Sequence, residues 1–348
     1  MSITINIEKW DSCKKTAFAS TWDDFCIESW KKLVSYSNKK NIPLTFFINT
    51  CGYCEAGRFQ KDNNLIDPET KMSKKDIEFF KKIVKQGNEI GGHTTNHYDM
   101  HQMSNRDIEK DCEEWINILE KEKVIKKNQG LSFSYPYGYR PKSLSMIEKY
   151  FLGARSYGGG LNDCNPKNLY RLKSVNVGKM TKLEKINKIL DEAIQNEKII
   201  IEAGHGINKE CWSPVPDNII YKHFDYVNKK QKYLWCTTMV NILKYIIQRN
   251  NIDVIQEHKN KNLQISFQKK IDFNFDLIPL TISIKITKDT KIINCKQNKK
   301  NIKIQKLDGL YFIKTSDFEN KIFINISKNK TKKNSQISKL KKTKRNFD

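Results

Sequence analysis

No stretch of this 348-residue sequence approaches the ~20 consecutive apolar residues that a membrane-spanning helix needs. A transmembrane segment is therefore not expected. The opening segment, MSITINIEKWDSCKK, lacks the long apolar core of an export signal, so the expected location is intracellular. The nine cysteines are odd in number, and their spacing shows no disulfide framework. Without an export signal they read as reduced thiols. Cys51 and Cys54 make a lone CxxC with no second pair to close a zinc site, and it reads as a pair of ordinary loop cysteines. No internal repeat is evident, which argues against a solenoid or propeller.

Negative charge is also scarce. Asp and Glu number 39 against 63 Lys and Arg, a formal charge of +24. Such an excess attracts polyanions. Here it is spread through a chain rich in Lys, Asn and Ile, a trio that AT-rich coding also produces. No segment interleaves aromatic and basic residues as a nucleic-acid binder does, so no specific nucleic-acid partner is expected. The exception to the even spread is the Lys-rich end, residues 327–348. It reads as a disordered basic tail with a capacity for acidic polymers.

What is present is enough apolar material for a packed core, at 38% hydrophobic and 11% aromatic residues. Up to about residue 250, short apolar runs alternate with amphipathic stretches. Strands are expected at Thr16–Thr21, Pro43–Asn49, Asn88–Gly91, Leu131–Tyr135, Leu152–Tyr157, Lys198–Ala203 and Tyr233–Cys236. Helical stretches lie between them, including Ser73–Gln86 and Ser104–Glu122; Ser104 and Asp107 resemble a helix cap. This alternation predicts parallel strands joined by crossover helices, closed as a distorted (β/α) barrel of about seven strands over residues 1–250. Beyond it, short β-branched runs such as Thr281–Ile286 alternate with period two. They predict a small antiparallel, sandwich-like all-β domain over residues 251–326.

Four expected strands end in polar groups. Asp23 and Asp24 close the first, and adjacent carboxylates can serve one site only where a strand ends and turns. Gly91–Gly92 leads into His93 and His97, which would share a face on one helical turn and suit a divalent metal. His101 extends that spacing but reads more readily as a surface histidine. Ser134-Tyr135-Pro136-Tyr137-Gly138 fixes a tight loop that can aim a backbone N–H. His205 follows the most apolar strand. In a parallel α/β barrel the carboxyl ends of the strands are where sites assemble, and the coincidence of four such ends outweighs any single motif.

In order and spacing, TWDDF, HTTNH, SYPYG and EAGH resemble the motifs of the polysaccharide deacetylases of carbohydrate esterase family 4, the NodB-homology group, over about residues 14–250. The resemblance implies removal of N-acetyl groups from an N-acetylated sugar or polysaccharide, such as a chitin- or peptidoglycan-like glycan. It assigns Asp24, His93 and His97 to one divalent metal, zinc first, with cobalt, nickel or iron also suited to these donors. It makes Asp23 the general base, His205 the general acid and the Tyr137 N–H an oxyanion donor. The family pattern is broken at Ser134, where it has the arginine that orients the base; Arg155 is the preferred substitute and Arg140 the other. Phe25 replaces a glycine. An Asp-x-x-Asp-Trp motif is missing, and only Asp163 lies near its place. The absent arginine motivates an alternative, a catalytically impaired carbohydrate-binding protein on the same scaffold.

Overall fold

The computed structural model describes residues 3–51, 72–209, 211–259, 262–287 and 290–328. Cys54 of the CxxC, and the basic tail from residue 329, lie outside them.

The architecture is a closed ring of seven parallel strands. In chain order the elements are β1 (Ile3–Ile7), β2 (Thr16–Asp24), α1 (Ile27–Lys39), β3 (Leu44–Ile48), α2 (Lys74–Lys85), β4 (Glu89–Gly92), α3 (Asn105–Lys121), β5 (Ser132–Ser134), α4 (Ser145–Tyr150), β6 (Gly153–Gly159), β7 (Leu172–Asn176), α5 (Leu183–Gln195), β8 (Ile200–Gly204), α6 (Asp217–Lys230), β9 (Leu234–Cys236) and α7 (Met239–Asn251). The ring runs β2-β3-β4-β5-β6-β7-β8 and returns to β2. β9 pairs only with the first residues of β2, Thr16–Phe18, while β3 takes over from Ser20 onward. Tyr233–Cys236 was expected in the ring and is instead a spur below it. The ring strand that the sequence did not disclose is β7, Leu172-Lys-Ser-Val-Asn176, whose exposed Lys173 and Asn176 mask its apolar residues.

Side chains alternate across each strand. Phe18, Trp22, Leu44, Phe46, Ile90, Phe133 and Ile200 face the helices and form one apolar cluster with them. The helix starts follow their caps: Ser73 and Asp76 form a reciprocal capping box on α2, and the Ser104 hydroxyl accepts from the Asp107 N–H on α3. Gly91 and Gly92 lie within β4 rather than in a turn. A Cβ on Gly92 would fall 2.5 Å from the Phe151 ring, so the aromatic packing claims that space.

After α7 come two antiparallel sheets. One has the order β1-β12-β16-β15, built with β12 (Leu280–Ile286), β15 (Gln305–Leu307) and β16 (Leu310–Thr315). The other contains β10 (Ile252–Lys259), β11 (Asn262–Lys269), β13 (Thr290–Gln297), β14 (Lys300–Asn301) and β17 (Ile322–Lys328). β17 runs two residues into the segment expected to be disordered. β1 pairs with β12 rather than with the barrel. Ile265, Ile322 and Ile324 of one sheet share a buried cluster with Ile282, Ile284 and Ile313 of the other. The same cluster includes Ala17, Ala19 and Ile201 of the barrel and Met239 of α7. These β-sheets therefore close the amino end of the barrel and leave its carboxyl end free.

The cysteines depart from the all-reduced expectation. Cys26 and Cys211 form a disulfide, 185 residues apart in sequence with Cα atoms 6.0 Å apart. Cys26 caps α1 and Cys211 lies in the loop after β8, so closure of β2 against β8 brings them together.

Candidate metal and acid–base site

Asp24 ends β2 with a φ of +77°, a left-handed conformation that an aspartate adopts at a cost. Asp23 follows the alternation of the strand into the barrel, and the turn at Asp24 sends its carboxylate toward the loop after β4. That loop carries two more left-handed residues, Thr94 (+67°) and His97 (+56°). The expected helical turn linking the two histidines is absent, and they converge through this irregular loop instead. The Thr94 hydroxyl accepts from the His97 N–H at 2.9 Å. Asp111 of α3 takes both the N–H and the side-chain amide of Asn96, at 3.2 and 2.7 Å. Asp111 carried no motif signal and is a site-supporting residue that only the fold discloses. Burial raises its carboxyl above the usual carboxylate range, against the hydrogen bonds from Asn96 and Thr94.

The Nε2 atoms of His93 and His97 stand 3.0 Å apart and face the same Asp24 oxygen, at 3.4 and 3.3 Å. All three side chains are buried. His93 Nδ1 donates to the Ser134 carbonyl at 2.7 Å, which leaves its Nε2 lone pair turned toward the cluster. Two imidazole nitrogens and one carboxylate oxygen converging in this way fit a divalent ion. Burial works against the charge of Asp24. The charge of His205 and hydrogen bonds from His93 and His97 overcome it and hold the carboxyl well below the usual range.

Asp23 lies behind this cluster. One of its oxygens is ion-paired with the Arg155 guanidinium, and the other accepts from the Ser134 hydroxyl at 3.1 Å. Arg155 is fully buried, donates through Nε to Thr21 Oγ1 at 2.8 Å and lies over the Phe47 ring. Arg140 is not near Asp23; its carbonyl is 3.4 Å from Nδ1 of the exposed His101, outside the cluster. The residue that breaks the family pattern, Ser134, therefore still touches the carboxylate, and the arginine comes from the next strand.

His205 Nε2 is 3.8 Å from the second Asp24 oxygen. Its ring packs against Tyr157 and Trp212, with centroids at 5.4 and 5.0 Å. Burial first, then the charge of Asp23, pushes the Tyr157 hydroxyl up to about 12, so it stays protonated. Trp30 of α1 donates to the His205 carbonyl at 2.8 Å and fixes the backbone there. Asp163 is exposed and pairs with Lys198 away from His205. Tyr137, with a φ of +58°, presents its ring to His97 at 4.8 Å from the turn after β5. Tyr157 and Trp212 were not singled out from the sequence; no motif spacing marks them.

A seven-stranded parallel barrel carries these groups on its carboxyl rim. Residues 11–151 match the family model for polysaccharide deacetylases. No curated protein matches the chain. Similar solved structures include the family 4 carbohydrate esterase PdaA of Bacillus subtilis, at 14% identity over 68% of this chain and 83% of that one, with a TM-score of 0.42. A family 4 carbohydrate esterase from Streptomyces lividans, solved with acetate, is 14% identical over 65% and 93%, TM-score 0.41. A family 4 pseudoenzyme from Bacillus anthracis is 14% identical over 66% of each chain, TM-score 0.43. Among the described residues no helix is long and apolar enough to cross a membrane.

Proposed function

We infer that this chain hydrolyses the acetamide of an N-acetylated glycan with the help of one divalent metal ion, releasing acetate and a free amine. The observation that carries the reading is the convergence of Asp24, His93 and His97 between a buried, ion-paired Asp23 and His205. Asp24, His93 and His97 would hold the ion, with zinc, cobalt, nickel and iron all compatible with the donors. Such an ion supplies Lewis-acid chemistry at the acetamide carbonyl. Asp23 accepts the proton of the attacking water, with Arg155 and Ser134 fixing the orientation of its carboxylate. His205 delivers a proton to the departing amine, which is otherwise a poor leaving group. The Tyr137 N–H donates to the oxygen on which charge develops.

The impaired-scaffold alternative drew on the missing arginine at position 134. The pairing of Arg155 with Asp23 supports the active reading. The catalytic unit is taken as ending near residue 250, with residues 3–7 grouped with the β-sheets that follow.

Acetate release from N-acetylglucosamine oligomers, measured with added zinc or cobalt and with chelator, tests the function. Chelator-sensitive release is the expected result. Bound metal without acetate release from several acetylated glycans would leave the binding-scaffold alternative standing.

A further inference from the structure

We propose that the groove between the loops after β4 and β5, lined by His101, Arg140, Lys142 and Arg171, binds an oxyanion group, a carboxylate or a phosphate, carried by the glycan beyond the ring that loses its acetyl group. The proposal rests on the deacetylase reading and adds the requirement that the substrate be acidic. Arginine is the starting point. Lysine supplies nearly all the positive charge of this chain, and only seven of its 63 basic residues are arginines. A guanidinium offers a planar fork of N–H donors that fits a carboxylate or phosphate, which an ammonium group does not. Five arginines fall among the described residues. Arg155 is taken up by Asp23, and Arg249 by the carbonyls of Lys9 and Cys164. Of the other three, Arg140 and Arg171 line one cavity of about 340 Å³, together with Lys142.

The two arginines come from different segments that the ring holds together. Arg140 lies on the loop after β5, and Arg171 directly precedes β7. Leu172 pairs with Arg155, and Arg155 with Ser134, so the stagger of the strands sets Arg171 level with the end of β5. The Tyr135 hydroxyl ties the segments by donating to the Tyr170 carbonyl at 2.9 Å. Burial raises that hydroxyl, and the charges of Arg140 and Arg171 both pull against it, so the two guanidiniums act at one place. All three cations of the groove are exposed, and among the described residues none has an ion-pair partner, whereas Lys149 of the adjoining α4 is paired with Glu109. Glu148 also acts on the Tyr135 hydroxyl but pairs with neither arginine, and Asp99 is turned to the His101 N–H and the Gln102 amide. Like charges gathered without a counter-charge repel one another, and an anionic ligand relieves that repulsion. Position links the groove to the chemistry. His101 follows His97 by four residues, and the Tyr137 ring lies 4.8 Å from that of His97, so the groove opens just outside the metal-type cluster. It stands at β5, across the ring from His205 after β8. An acetamide at the cluster therefore leaves one flank of the glycan within reach of these cations.

The test compares N-acetylglucosamine tetramer with the same tetramer carboxylated or phosphorylated at C6. In Asp23→Asn protein, which leaves the oligomers intact, calorimetric titration at low salt should give about tenfold tighter binding of the acidic forms, roughly 1.4 kcal/mol. In about 1 M salt, where charges are screened beyond about 3 Å, the difference should vanish. Adding Arg140→Ala and Arg171→Ala should remove most of it, whereas Lys222→Ala and Lys229→Ala, an equal change of charge on α6, should leave it in place. With Asp23 restored, the arginine pair of substitutions should bring the kcat/KM ratio of acidic over neutral tetramer close to one and leave the neutral value unchanged. The tighter-binding acidic form shows whether carboxylate or phosphate is the group recognised. Equal affinity for acidic and neutral tetramers, or a preference that the lysine substitutions abolish as fully, would overturn the site, and acetate release from the neutral tetramer would then leave the deacetylase reading intact. Arginine-dependent binding of an acidic tetramer, with no acetate release from any oligomer, would support the site and overturn the deacetylase reading.

Discussion

Arg155, on the sixth strand of the chain, reaches across the barrel to ion-pair with Asp23 at the end of the second, and both side chains are buried. Going round the ring the shorter way, β8 and β7 separate the two strands, so the pair exists only once the ring has closed. It gives Asp23 an arginine partner although the residue two positions before Pro136 is Ser134.

Removing one member of this pair should be costly. Arg155→Ala leaves the Asp23 carboxylate buried with only Ser134 as partner, a loss of about 3–5 kcal/mol in unfolding free energy. Pairing it with Asp23→Asn should recover part of that loss. Denaturant unfolding of the single and double variants checks this, and a single variant within about 0.5 kcal/mol of the parent would mean that the pair does not stabilise the fold.

The two aspartates should separate by function. His93→Ala and Asp24→Asn are expected to lose metal and acetate release together, while Asp23→Asn keeps metal and loses turnover. Metal content by elemental analysis, read beside acetate release, distinguishes them. Normal hydrolysis by Asp23→Asn would remove it as the base.

Asp24 should leave a signature in acid. Its folded pKa lies below the unfolded value of about 3.9. The sign follows from linkage: its contribution to stability is fully present above the unfolded pKa and is lost as pH falls through the folded one. In metal-free protein the Tm advantage of the parent over Asp24→Asn should therefore shrink as pH drops below about 4. A gap that widens toward acid would contradict the depressed value.

Reduction should loosen the site's rim. Breaking Cys26–Cys211 frees the loop that carries Trp212 and should cost about 2–4 kcal/mol of stability. Thermal unfolding with and without reductant, beside a Cys26→Ser/Cys211→Ser variant that no longer responds to reductant, provides the check. Equal unfolding temperatures in all four samples would show that the bridge contributes nothing.

Gly92→Ala should be destabilising by about 1–3 kcal/mol through overpacking, because the new methyl group meets Phe151 and Phe133. Phe151→Leu in the same chain should relieve it. Failure of that rescue would place the strain in the backbone rather than in the ring.

Most barrel strands were legible because β-branched and aromatic runs between amphipathic stretches have few other uses. β7 was not, since five residues with exposed Lys173 and Asn176 carry too little periodicity. β10 was missed for a similar reason: its Ile-Asp-Val-Ile-Gln start is broken by charge, and only pairing with β11 makes it a strand. Ile302–Ile304, short and β-branched, lies between β14 and β15 rather than in a strand.

The sequence by itself determined the chemical inventory: which strands end in carboxylates and imidazoles, in what order, and that the donors suit a hydrolytic metal. These are local facts, set by residue type and spacing. Tertiary structure alone decided which groups meet. It chose Arg155 over Arg140 for Asp23, turned Asp24 toward the histidines through a left-handed residue, joined Cys26 to Cys211, and set Trp212 beside His205. Each of these depends on the curvature and closure of a seven-stranded ring, which brings together residues that are far apart along the chain, and neither composition nor periodicity encodes that distance.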